Sequence, residues 1–400
     1  MSLQIRGVNE ESELREFARV HATAFGHRFE QEKLEKLVLP WLPVVNCVAA
    51  FDDGAMVGVS IDLPLTMTLP GGAMLPIRGI TWVGVLPTYR RRGVLRALMD
   101  HQHAEFEHDG VAVSALYAAD TRIYGRFGYG PATVVASEAE VDVRFGAFAQ
   151  PFQDPGQVVM IEDRSPVAIV REVLDRARPH IPGEVDRMQQ DLADMFTAAD
   201  EKQFRVAHRD PDGGWDGFVT YTFEMNWQHE AIAQNRVAVG TMLTAGPDAH
   251  AALWRYLLDL DLVRTVRVRN RPLDDPIRWL LAEWRHYRVN HVSDGVWLRL
   301  LDLPAALAAR GYLHDGELVL DVDGSRWLLE AHDGRGSCEP TRRDAEIELD
   351  AATLASTYLG GYRFTALREG KRLRELAPGA CVRADSMFRA EREPWCSHDF

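Results

Sequence analysis

The sequence predicts an α+β protein built of three units, and three observations predict it. The chain is 400 residues long, more than a single hydrophobic core accommodates. Short apolar runs with the two-residue period of strands alternate with runs of helical period. A stretch containing Gln150-Pro151 and Gln153-Asp154-Pro155-Gly156 interrupts this alternation and reads as a linker. The expected units are residues 1–150, 151–290 and 291–400.

In the first unit, the helical period over residues 11–24 places Leu14, Phe17, Ala18, His21 and Phe25 on one face. Strands are expected at 44–51 and 56–65 around Asp52-Asp53-Gly54, a hairpin signal, and at 65–69 and 75–85 around Pro70-Gly71-Gly72. A helix over 95–107, a buried strand over 111–117 and a short helix over 121–127 follow. Gly128-Tyr129-Gly130-Pro131 ends that helix before a strand over 132–143. This order predicts a mixed sheet with helices on both faces.

The second unit has helical runs at 167–177 and 185–193, and strands at 204–208, 216–222, 230–243 and 265–268. A helix carrying Leu253, Trp254, Leu257 and Leu258 precedes the last strand. The third unit opens with a strand from Val296 and a helix over 303–310. Strands at 316–322 and 325–331 follow, then a helix over 350–358 closed by Gly360-Gly361.

Composition narrows the function. A 46% apolar content is that of a globular protein. No apolar run approaches the roughly 18 residues of a membrane span, and Met1-Ser2-Leu3-Gln4-Ile5-Arg6 has no apolar signal core. A cytoplasmic protein is therefore expected. Cys47, Cys338, Cys381 and Cys396 lie far apart, which predicts reduced thiols and no metal. His101 and His103 lack the spacing of helical zinc ligands and read as surface residues. A net charge of −14 argues against nucleic acid and favours a cationic small-molecule substrate.

The most informative stretch is Val83-Gly84-Val85-Leu86-Pro87-Thr88-Tyr89-Arg90-Arg91-Arg92-Gly93-Val94-Leu95. A strand enters it and a helix leaves it. The helix N-terminus offers N–H groups and partial positive charge to phosphate. Gly93 permits close approach, and the arginines add forked donors. Strand, basic Gly-bearing loop and helix together read as a pyrophosphate site.

On this loop the first unit resembles the GCN5-related N-acetyltransferases, which bind acetyl-coenzyme A with Gln/Arg-x-x-Gly-x-Gly/Ala. Here the motif reads Arg90-Arg91-Arg92-Gly93-Val94-Leu95, and it departs at Leu95. The resemblance implies that Val83, Gly84 and Val85 bind the pantetheine arm through their backbone. The second unit looks like a degenerate copy. Thr244-Ala245-Gly246-Pro247 stands where a basic loop would be, so no coenzyme is expected there. The third unit resembles a sterol-carrier-protein fold, which implies either lipid binding or a packing and assembly role.

The three blocks in this order resemble the Eis family of acetyltransferases. The most specific pieces are Ile123-Tyr124-Gly125-Arg126-Phe127-Gly128-Tyr129-Gly130-Pro131 and the closing Trp395-Cys396-Ser397-His398-Asp399-Phe400. The resemblance implies acetylation of amines on aminoglycosides, often at several positions, and on some Lys side chains, by a homohexamer. It also implies a Tyr as general acid and the C-terminal carboxylate as general base.

The chemistry asks for both roles. The amine must lose a proton and the leaving thiolate must gain one. Tyr124 matches the acid, since a phenol with pKa about 10 is protonated at neutral pH. Tyr129 is a rival that the sequence leaves open. The α-carboxylate of Phe400 matches the base, and burial or the neighbouring Asp399 would raise its low pKa. Trp82, on the strand face opposite Val83, would line a broad, acidic acceptor pocket with Asp399, Phe25 and, less directly, His27 and Glu32. Two alternatives remain: a lipid or acyl-CoA carrier with a scaffold acetyltransferase unit, and a protein-lysine acetyltransferase.

Overall fold

The computed structural model describes residues 3–163, 166–186, 202–228 and 232–400. Three sheets carry the fold. The first has seven strands in the order β1 (Leu3–Gly7), β2 (Asn46–Asp52), β3 (Ala55–Thr68), β4 (Met74–Val85), β5 (Val113–Tyr117), β17 (Val296–Leu300) and β6 (Gly130–Pro131). Only the β4–β5 pair is parallel. Asp53 and Gly54, both at positive φ, make the tight turn between β2 and β3. The first helix, Glu11–Ala24, buries Leu14, Phe17, Ala18 and His21 of the face that its period predicts, but Phe25, expected on that face, caps the helix and is 51% exposed.

The second sheet runs β15 (Arg271–Pro272), β7 (Val134–Asp142), β14 (Val263–Val268), β13 (Asn235–Thr244), β10 (Trp215–Glu224), β9 (Phe204–Arg209) and β8 (Gln157–Met160). Strand β16 (Tyr287–Asp294) pairs the other side of β7. A two-stranded ribbon, β11 (Trp227–Gln228) with β12 (Ile232–Ala233), stands apart. The third sheet runs β20 (Arg335–Pro340), β19 (Ser325–His332), β18 (Gly316–Val322), β21 (Ile347–Leu349) and β22 (Leu373–Glu375).

Two strands cross the boundaries that the linear pattern suggests. β7 follows the first-unit elements in the chain, yet it lies inside the second sheet, between β14 and β16. The strand from Val296, expected to open the third unit, instead completes the first sheet between β5 and β6. A period of two marks a strand but says nothing of its partners. The expected helix at 185–193 also differs at its start: Val185 is extended and bridges Met67. Residues 187–193 of that expectation lie outside the described residues, as do 230 and 231 of the strand expected at 230–243.

One continuous core joins the first sheet to the third unit, with Leu65, Leu298, Leu318, Tyr358 and Phe388 in a single cluster. Gly130 makes this contact possible. A Cβ there would overlap the Ala352 carbonyl of the helix Ala351–Thr357. The interior of the third unit is filled by Tyr312, Tyr358, Phe364 and Phe388 around the buried Arg310, which donates to the Tyr358 and Phe388 carbonyls at 2.8 and 2.9 Å.

The linker is pinned rather than loose. His208 of β9 is buried between Asp216 (2.6 Å) and Asp154 of the linker (2.9 Å). Burial opposes its charge, but the two carboxylate hydrogen bonds outweigh it and raise its pKa. A raised native pKa stabilises the fold fully below the unfolded value of about 6.5 and is lost as pH climbs through the native value. Thermal midpoints of wild type should therefore fall as pH rises above neutrality. In His208→Ala the slope should be shallower, as followed by circular dichroism across pH. Parallel profiles would remove this linkage.

Candidate active site

β4 leads into a short turn, Pro87–Tyr89, and then into the helix Val94–His108. Arg91 (φ 61) and Gly93 (φ 85) are both left-handed. Alternation of this kind turns successive N–H groups toward one concavity. The helical ladder starts with Ala97 N–H to Gly93 C=O at 3.0 Å, so the N–H groups of Val94, Leu95 and Arg96 precede it. A Cβ added to Gly93 meets nothing within 4 Å, so the space over the loop is open.

The arginines divide. Arg90 donates to the Ala24 carbonyl at 3.1 Å, which ties the loop to the first helix. Arg92 lies over the Tyr89 ring at 5.2 Å, and Arg91 is exposed. Leu95 is partly buried and packs against the cluster containing Ile80, Met99 and Leu116, so its departure from Gly or Ala does not place its side chain freely over the loop. Gly58 lets the helix lie close on β3, where a Cβ would stand 2.7 Å from Val94 Cγ1.

β4 and β5 pair only over Arg78–Ile80 and Ser114–Leu116. Beyond Ile80, β4 has no pair in β5, and a gap opens beside Val83, Gly84 and Val85. A bulge marks the divergence: Val59 pairs Gly84 and Ile61 pairs Thr81, so Trp82 and Val83 face Ser60 alone. Trp82 takes φ 52 there. It packs on one face of the sheet and Val83 on the other, so the expected opposition holds despite the irregular strand.

Trp82 stacks on His21 (3.9 Å between ring centroids) and lies 5.4 Å from Trp41 and 5.9 Å from Phe29. Phe25 is half-exposed over His21 at 4.7 Å, with His27 at 5.9 Å. Burial, then the His27 charge, lowers the His21 pKa to about 4, so its ring is neutral. The surroundings of Trp82 on this face are thus aromatic. Glu32 is exposed and paired with Lys36 at 2.7 Å. His21, Phe29 and Trp41, which the sequence analysis does not place beside Trp82, join it in one aromatic cluster. Their signal, aromatics clustered over residues 21–41, resembles an ordinary helix face and loop.

The two tyrosines differ in what their hydroxyls meet. Tyr129 is fully buried, 2.7 Å from Ser114 Oγ and 3.0 Å from His103 Nε2. Arg299 of β17 donates to His103 Nδ1 at 2.9 Å. His103 is therefore buried, not the surface residue expected. Burial and then the Arg299 charge lower its pKa to about 3. With Nδ1 accepting, Nε2–H donates to Tyr129, whose own proton turns to Ser114. Tyr124 lies on the same face, 6.3 Å from Tyr129 between ring centroids, and is 7% exposed. Among the described residues its hydroxyl has no hydrogen-bond partner, and burial raises its pKa to about 12.

Phe400 reaches the same strand from the other face. The Phe400 ring covers Gly79 of β4, where a Cβ would stand 3.0 Å from Phe400 Cε2, and it meets Tyr117 of β5 edge-on at 5.2 Å. Tyr117 donates to the His398 carbonyl at 2.7 Å. Asp399 is exposed beside it. Tyr117, read only as the end of a strand, holds the tail against β5.

Among the described residues, two groups bring possible metal-ligand atoms within 4.8 Å of one another: Glu184, Cys396 and His398, and the exposed Asp315, His332 and Asp333. In the first, Glu184 already accepts from the Ser397 N–H at 2.9 Å, and Cys396 Sγ lies 3.1 Å from the His398 carbonyl.

Comparison with known proteins shows the family. Two family models, each described as an acetyltransferase (GNAT) domain, match residues 4–132 and 183–300. A sterol carrier protein domain matches residues 303–397. The chain is 37% identical over 350 residues to the N-acetyltransferase Eis of Mycobacterium tuberculosis, covering 84% of each. It is 35% identical over 370 residues to an uncharacterized N-acetyltransferase of Streptomyces griseus, covering 88% of each. It superposes on the crystal structure of Eis1 from Mycobacterium abscessus with a TM-score of 0.87 at 29% identity, over 99% of this chain and 100% of that one.

Proposed function

Because the chain belongs to the Eis family of N-acetyltransferases and uses acetyl-CoA, we propose that its acceptors are amines of cationic small molecules such as aminoglycosides, acetylated at more than one position. The observation that carries this reading is what lies along β4. The open loop follows its end beyond Val85, Tyr124 packs with Ile80 on one face, and the Phe400 ring covers Gly79, in the last stretch paired with β5. The aromatic wall of His21, Phe29, Trp41 and Trp82 supports a cationic acceptor, since ring faces attract cations. The acidic side of the pocket comes from the tail, Asp399 and the Phe400 carboxylate. Exposed Trp279 and Trp284 support self-association, which we read as a homohexamer. No described helix is long and apolar enough to cross a membrane, and the reading places the enzyme in the cytoplasm.

Acetyl-CoA supplies an activated acetyl group as its thioester. The open loop at Gly93, with the N–H groups of Val94 and Leu95 and the exposed Arg91, fits a pyrophosphate. The edge of Val83, Gly84 and Val85 fits an extended amide-bearing arm. The terminal carboxylate takes the proton of the acceptor ammonium. Tyr124 holds a proton at its hydroxyl for the departing sulfur, because near neutral pH it stays protonated. Tyr129 is the weaker donor, because its proton is engaged with Ser114.

Two loop variants test the coenzyme site. Gly93→Val must force a β-branched residue into a left-handed φ and fill the open space, so acetyl-CoA affinity should fall about tenfold or more. Arg91→Glu should weaken binding most at low salt. Unchanged titration calorimetry in both would move the site elsewhere. The acceptor class is tested by thiol release from acetyl-CoA with aminoglycosides, polyamines and Lys peptides. Turnover confined to the peptides would favour protein-lysine acetylation, and none with any amine would favour a carrier. The filled interior of the third unit supports packing over lipid carriage.

A further inference from the structure

Residues 395–398 sit in a socket built far from the phosphate loop. One wall is the segment 181–186, which runs beside the end of β3. Gly183 N–H donates to the Thr68 carbonyl (2.8 Å), Thr68 N–H to the Glu184 carbonyl (2.9 Å) and Asp186 N–H to the Thr66 carbonyl (2.8 Å). The same segment holds the tail on its other side. Trp395 N–H donates to the Pro182 carbonyl at 2.8 Å, and Ser397 N–H to Glu184 Oε2 at 2.9 Å. Glu184 is fully buried. Its Oε1 accepts from the Val185 N–H at 3.2 Å and lies 3.6 Å from Cys396 Sγ and 3.4 Å from His398 Nδ1.

The other wall comes from the second sheet. Trp395 Nε1–H donates to the Asn270 carbonyl at 3.1 Å, and Asn270 Nδ2–H donates to the Cys396 carbonyl at 3.0 Å. The Arg271 guanidinium lies over the Trp395 ring at 5.1 Å. Asn270 adopts φ 47 to make this corner.

A chain end frays unless contacts hold it, and each ordered residue costs conformational entropy. A tail outside any helix or sheet also leaves its N–H groups without ladder partners. A buried carboxylate answers that need, since it only accepts and offers two oxygens. We propose that Glu184 is a positioning residue for acyl transfer: it acts through the tail, setting where the Phe400 carboxylate stands beside β4, with the Asn270 corner of the degenerate second unit as the opposing wall. This rests on the reading of that carboxylate as the proton acceptor. It gives the second unit, which lacks a basic loop, a part in the reaction.

The test uses the full chain with a free C-terminus, as wild type, Glu184→Ala, Glu184→Gln and Asn270→Ala, alongside wild type extended past Phe400. Glu184→Ala leaves the Ser397 N–H without its acceptor and should lower kcat about ten- to hundredfold, the scale of a small misplacement of a reacting group. KM for acetyl-CoA should not change. Carboxypeptidase should release Phe400 at least about tenfold faster than from wild type. Glu184→Gln keeps one acceptor and should fall between. If Glu184→Ala does not fold, Glu184→Gln and Asn270→Ala carry the same comparison. Wild-type kcat together with wild-type resistance to carboxypeptidase in these variants overturns the proposal. If the extended protein is inactive while Glu184→Ala is fully active, only the positioning role fails. If the extended protein turns over normally, the base assignment fails, and release of Phe400 still decides whether Glu184 holds the tail.

Discussion

A short polar peptide appended after Phe400 should abolish acetyl transfer while the thermal midpoint and acetyl-CoA affinity stay near wild type. The extension converts the terminal carboxylate into an amide. It must also leave a packed site, because the Phe400 ring covers Gly79 and meets Tyr117 edge-on at 5.2 Å. At about 4 Å and an effective dielectric near 20, one carboxylate attracts an ammonium by about 4 kcal/mol before desolvation. Loss of that attraction and of the proton acceptor should cost at least about 10²-fold in kcat. The proposed coenzyme loop follows the other end of β4, beyond Val85, and should not respond. An N-terminal tag should be harmless, since β1 lies at the edge of the sheet. Steady-state kinetics with calorimetry checks both arms. Full turnover in the C-terminally extended protein would place the base elsewhere.

Tyr124→Phe should lower kcat by about 10²-fold or more with little change in KM for acetyl-CoA. The substitution keeps the ring in its cluster with Ile80, Met99 and Leu116 and removes only the hydroxyl. Stability should therefore be near wild type. The raised pKa also sets a pH signature. A phenol that loses its proton near pH 12 remains a donor throughout the neutral and moderately alkaline range. Any alkaline decline of kcat well below that pH must come from another group. Tyr129→Phe should instead act through stability, because it breaks the buried chain from Ser114 through Tyr129 to His103 and Arg299. Near-normal kcat in Tyr124→Phe, with loss in Tyr129→Phe at unchanged stability, would transfer the acid role to Tyr129.

Much of this protein is determined locally and is legible in the sequence. The hairpin at Asp53-Gly54 and the left-handed turns at Arg91 and Gly93 depend on local φ preferences, although the loop is also fastened to Ala24 and Val57 by long-range hydrogen bonds. Arg90 to Gly93 therefore announce their geometry before any fold is known. The face of the first helix follows from its period for the same reason. What the sequence does not carry is pairing between distant segments. β7 reads as the last strand of the first unit, yet it lies inside the second sheet. His103 reads as a surface helix residue, yet Arg299, from a strand 196 residues away, buries it against Tyr129. The proposed active site has the same character. Tyr117 meets His398 across 281 residues, and Ser397 meets Glu184 across 213. Local propensity supplies the phosphate loop and the strand beside it. Only the tertiary structure, by closing those long loops of chain, brings an irregular tail to β4, because the hydrogen bonds that order it come from residues of the first and second units.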